Sequence, residues 1–124
     1  MPVPALYYAA TALHTISIPG HWAFGVEHVD KAVDQIPPEE EYSVGRAGAR
    51  VSWGSFYGLL ATLGLLNYQW AKGGGARTAE EKVIVLSTLA IGLFAGRPYF
   101  KARAYSPLGC IWVAPFLTAI ATFI

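Results

Sequence analysis

Three stretches of this chain, residues 1–20, 51–71 and 104–124, run for about 20 positions each without Asp, Glu, Lys or Arg. Such a run matches the thickness of a bilayer's hydrocarbon core, where only a helix or a closed barrel satisfies its own backbone. With 124 residues, 54% of them hydrophobic and 14% charged, the chain has room for one domain and little charge to keep it dissolved. The expected class is therefore all-α, a polytopic membrane protein folded as a compact antiparallel four-helix transmembrane bundle.

The helices are expected over residues 4–34, 46–72, 79–100 and 106–124. Pro19-Gly20 places a kink in the first. Pro37-Pro38 and the acidic run Glu39–Glu41 form the first loop, and Gly73-Gly74-Gly75 stops the second helix. Thr78-x-x-Glu81 reads as a capping box opening the third. The charge-free part of that helix, residues 83–96, is the shortest and calls for snorkelling by Lys82 and Arg97. Ser106-Pro107 starts the fourth helix, and Pro115 bends it.

Gly54-x-x-x-Gly58 and Gly92-x-x-x-Gly96 give flat stripes for close helix approach, within the bundle or in a homo-oligomer. Trp22, Trp53, Tyr57, Tyr68, Trp70, Tyr99 and Tyr105 fall mostly toward helix ends, as interfacial anchors do. The 1–2 and 3–4 loops hold Lys31, Arg46, Arg50, Arg97, Lys101 and Arg103, against Lys72, Arg77 and Lys82 in the 2–3 connection. The positive-inside rule then puts both termini away from the cytosol. The N-terminus lacks a basic region before its apolar segment, so the first helix is expected to remain as an anchor.

The feature that points to chemistry is His14, His21 and His28, spaced by seven. On one regular helix they project within about 40° of arc, and Glu27 and Asp30 close the column. Ionisable groups at membrane depth are costly and call for a purpose. A shared metal is not expected, because neighbouring histidines stand about 10.5 Å apart along the axis, too far for one ion. No cofactor is expected either. A net charge of +1 gives no footprint for nucleic acid, and the single cysteine, Cys110, reads as buried and inert.

Folding the first two helices about Glu39 brings Glu27 and His28 level with Arg50, His21 with Tyr57, and His14 with Gly64. Acid–base catalysis then falls to Glu27, His28, His21 and Asp30, with Arg50 tuning the carboxylate. His14, Trp22, Trp53, Phe56 and Tyr57 line the pocket for a lipophilic substrate and stabilise positive charge there. The plain alternatives are packing histidines and a structural Glu27–Arg50 ion pair.

The segments from His14 to His21 and from Asn67 to Gly74 resemble those of small fungal integral membrane proteins that accompany polyketide and terpenoid biosynthesis. The layout is similar to the DoxX-like class of short four-helix membrane proteins. The resemblance implies an enzyme of the endoplasmic reticulum membrane that opens an epoxide, cyclises or isomerises a hydrophobic intermediate, in contact with membrane lipids. Of the site residues, only His14 and His21 carry over from it. The rival expectations are a non-enzymatic subunit of a larger membrane complex and a carrier of a hydrophobic molecule or proton.

Overall fold

The computed structural model describes residues 3–124, which form four helical rods and, among these residues, no strand. The first rod is α1 (Val3–Phe24), a π-turn (Gly25–Val29) and α2 (Asp30–Val33). The second is α3 (Glu40–Gly73), the third α4 (Ala79–Ala95) with the short α5 (Arg97–Lys101), and the fourth a π-turn (Gly109–Val113) leading into α6 (Ala114–Phe123). α1 packs on α3 and on α6, and α6 packs on α4, so α1 and α6 form the centre of the bundle.

Local chemistry accounts for the boundaries. The sequence places the second helix from Arg46, yet α3 starts at Glu40. Pro38 leads into an extended Glu39, and Glu40 and Glu41 then sit in the first turn, where the helix dipole favours acids. Gly74 and Gly75 both adopt the left-handed conformation that only glycine takes freely, and α3 ends there. The expected capping box is present. Glu81 N–H donates to Thr78 Oγ1 (3.2 Å), and Thr78 N–H donates to Glu81 Oε2 (2.9 Å).

One end of the bundle is closed. Tyr7, fully buried, accepts a hydrogen bond from Ala76 N–H (3.1 Å) and joins Thr122 Oγ1 (2.9 Å), tying the start of α1 to the 2–3 turn and the end of α6. Trp70 Nε1–H donates to Glu81 Oε1 (2.9 Å), clamping α3 to α4. Trp70 is thus a core residue rather than an interfacial anchor, packed in a cluster with Tyr7, Ala71, Val85 and Ala121.

The two glycine stripes behave differently. A side chain on Gly92 would strike the Ile111 carbonyl, and one on Gly96 the Trp112 ring, whose Nε1–H donates to Gly92 O (2.9 Å). That stripe is the α4 contact with the fourth rod. Gly54 and Gly58 face open space.

By length and composition, one helix among the described residues is apolar enough to cross a membrane: Ala79–Lys101, the one that the charge-free count made shortest. α5 prolongs it beyond Arg97. Imidazole, serine, threonine and proline dilute α1, charged residues open α3, and the apolar part of the fourth rod, Gly109–Phe123, is short. Large apolar side chains nevertheless face outward on every rod, including Ile16, Leu65, Ile91, Phe94 and Phe116.

Candidate functional site

Away from the closed end the rods part, and a cavity of about 470 Å³ lies between α1, α3, the α4–α5 end and the start of the fourth rod. Its lining is mostly apolar. From α1 come Ser17, Gly20, His21 and Phe24, which recur at i, i+3, i+4 and i+7 and so share one helix face.

His21 is the titratable group best placed here, and it is 9% exposed. Its Nε2 lies 2.8 Å from the Trp53 carbonyl, which can only accept, so the proton of the neutral ring sits on Nε2. Nδ1 is left as a lone-pair acceptor without a protein partner, on a residue that lines the cavity. The ring is held on several sides. Trp53 stacks on it at 3.8 Å between centroids, Tyr57 meets it edge-on at 4.6 Å, and Phe56 lies at 5.1 Å. Gly25, in the π-turn, leaves room for the Trp53 indole, since a side chain there would overlap it.

His14 sits in a different place. It is 1% exposed, with its Nδ1–H donating to Ala10 O (2.8 Å). Its Nε2 is buried without a partner, beside a void of about 10 Å³ that Asn67 and Thr118 also line. The seven-residue spacing therefore gives two buried imidazoles in two separate chambers. The expected register of His14 with Gly64 and of His21 with Tyr57 is observed.

His28 departs from the column. The π-turn holds one more residue than an α-turn, so the phase of the helix slips and His28 and Glu27 swing outward, their side chains 53% and 69% exposed. They approach each other at 3.8 Å, and His28 rests against the outer side of Phe24. The expected Glu27–Arg50 pair does not form. Arg50 instead bridges Asp34 (2.6 Å) and Asp30 (3.6 Å), because the slipped register presents α2 to α3 by those acids. Trp22 is 64% exposed and points away from the cavity.

Of the residues singled out from sequence, the structure brings His21, Trp53 and Phe56 to the cavity, with Tyr57 behind His21. It does not bring Glu27, His28, Asp30, Arg50, His14 or Trp22 there. The sequence reading missed Gly20 and Phe24 as cavity lining, although the helical period through His21 points to them. It also missed Tyr99 and Cys110, which reach the same space from the other half of the chain. Among the described residues no group of three His, Cys, Asp or Glu stands close enough to hold a metal. No family model matches the chain, and no curated protein or solved structure does either.

Proposed function

We propose that this chain is a four-helix integral membrane protein whose cavity admits a lipophilic small molecule, on which His21 performs proton transfer. The observation that carries the reading is a nine-tenths-buried imidazole with one nitrogen fixed on the Trp53 carbonyl and the other unpartnered beside a largely apolar chamber. Outward-facing apolar side chains on all four rods support the membrane setting, since a water-facing surface rarely carries so many. The volume falls within the range of small-molecule sites.

The chemistry follows from the ring's surroundings. Nδ1 takes a proton from a weakly acidic O–H or C–H of an unsaturated lipophile. The imidazolium that forms keeps its Nε2–H on the Trp53 carbonyl, now as a charge-assisted bond, and lies against the Trp53 face. Returning the proton to another atom of the same molecule moves a double bond with no co-reactant. Asp30, Asp34 and Arg50 hold α2 on α3, and Glu27 and His28 stand at the outer rim. The setting proposed for this activity is specialised metabolism at the endoplasmic reticulum membrane.

Incubating the purified protein with lipid extract in heavy water tests the reading. His21-dependent gain of carbon-bound deuterium in a lipophilic component is expected, falling by about 10²-fold or more in His21→Phe. Equal labelling with both proteins would overturn it.

One observation favours a second reading, a subunit of a larger membrane assembly. The Gly54–Gly58 stripe is open, and Val51 and Leu59 beside it are exposed. Gentle purification that retains a stoichiometric partner, lost in Gly58→Leu, would support it.

A further inference from the structure

The hydrogen-bond directions around the cavity define the polar group that its occupant carries. On the wall formed by α1 and the fourth rod, three polar side chains have their protons engaged elsewhere. Ser17 Oγ–H donates to Leu13 O (2.7 Å), Cys110 S–H to Pro107 O (3.3 Å), and His21 Nε2–H to Trp53 O (2.8 Å). Ser17 and Cys110 also face one another, and what His21 leaves for a ligand is the Nδ1 lone pair. Ser17 and His21 are four residues apart on one helix, so these acceptors stand one turn from each other on the same face. Potential donors, the Tyr99 phenol and the exposed Ser52 and Ser106 hydroxyls, stand on the other elements around the cavity.

Against the neutral His21 ring, a carbonyl or ether facing the α1 wall meets only lone pairs and gives up its hydration without return. A pure hydrocarbon leaves His21 Nδ1 unpartnered. A hydroxyl gives its proton to Nδ1 and still accepts one. We infer that the ligand of this cavity is a lipophilic hydroxyl compound, an alcohol, phenol or enol on a hydrocarbon body, that donates its O–H to His21 Nδ1. The inference rests on the proposed lipophile-binding role of the same cavity and names its substrate class. It also gives the Nε2–H tautomer a role: with Nε2–H held by the Trp53 carbonyl, Nδ1 is the nitrogen left to accept.

Quenching of tryptophan fluorescence, with Trp53 in the cavity wall, reads binding in detergent micelles. The probes are a long-chain alcohol, its methyl ether and the matching alkane, each corrected for its partition into micelles. The alcohol is expected to bind about tenfold more tightly than the ether, the ratio that one hydrogen bond of ordinary strength gives. In His21→Phe, which keeps an aromatic ring on Trp53, that ratio is expected to collapse to near one while the alkane still binds. Equal affinities for alcohol and ether in the native protein, with all three binding, would overturn the hydroxyl assignment and leave the cavity's role intact. Binding by none of the three would overturn the cavity's role itself, and the hydroxyl assignment with it.

Discussion

His14 and His21 are buried alike and seven residues apart, yet His14 lines a void of about 10 Å³ and His21 a cavity of about 470 Å³. This difference sets opposite expectations for their removal. An unpartnered buried acceptor costs roughly 1–3 kcal/mol, so His14→Leu is expected to leave stability in detergent unchanged or slightly raised despite losing the bond to Ala10. His21→Phe is expected to fold and to lose chemistry. Unfolding by graded denaturant and the deuterium assay separate the two. Gly25→Leu offers a third handle, because its side chain collides with Trp53 and displaces the indole from His21. A loss of activity like that of His21→Phe is expected, with a stability loss of about 1–3 kcal/mol. The spacing of the histidines was plain in the sequence. Which nitrogen is free was not, because that depends on a carbonyl of another helix.

At the scale of the helices, the chain's punctuation was readable where it rests on local chemistry. The Thr78–Glu81 cap and the glycine stop at Gly74-Gly75 need only their own neighbours. Thr78→Ala is expected to cost about 1 kcal/mol, measured by the same unfolding titration. The π-turn at Gly25–Val29 was not readable, since nothing in residues 25–29 marks it, and its phase slip moved Glu27 and His28 off the expected face. The glycine stripes were legible as stripes but not by their occupants. Gly92 and Gly96 take the Ile111 backbone and Trp112, whereas Gly54 and Gly58 meet nothing in the bundle. Gly96→Val is therefore expected to destabilise the bundle by about 1–3 kcal/mol or more, and Gly54→Val to leave it within about 0.5 kcal/mol.

Across the whole molecule, a closed end bound by Tyr7, Trp70 and Glu81 holds the rods together, and the far end parts around the cavity. Hydropathy anticipated four helices and an inward seam between the first two. It gave no sign that the fourth rod and α5 complete the chamber, because Tyr99 and Cys110 are brought there by tertiary packing alone. Gly20 supplies a means of closing that chamber without touching its chemistry. It lines the cavity, and a Cβ placed on it has no neighbour within 4 Å. Replacing it by leucine also removes a glycine's helix penalty of up to about 1 kcal/mol, so the bundle itself is expected to stand. The most direct measurement is photolabelling of the native protein and Gly20→Leu in lipid vesicles with a diazirine-bearing long-chain alcohol, mapped by peptide mass spectrometry. Labels are expected on Phe56, Tyr99 and Cys110 in the native protein and to be largely lost in Gly20→Leu. Labels confined to outward residues such as Ile16, Leu65 and Phe94, identical in both proteins, would contradict the account.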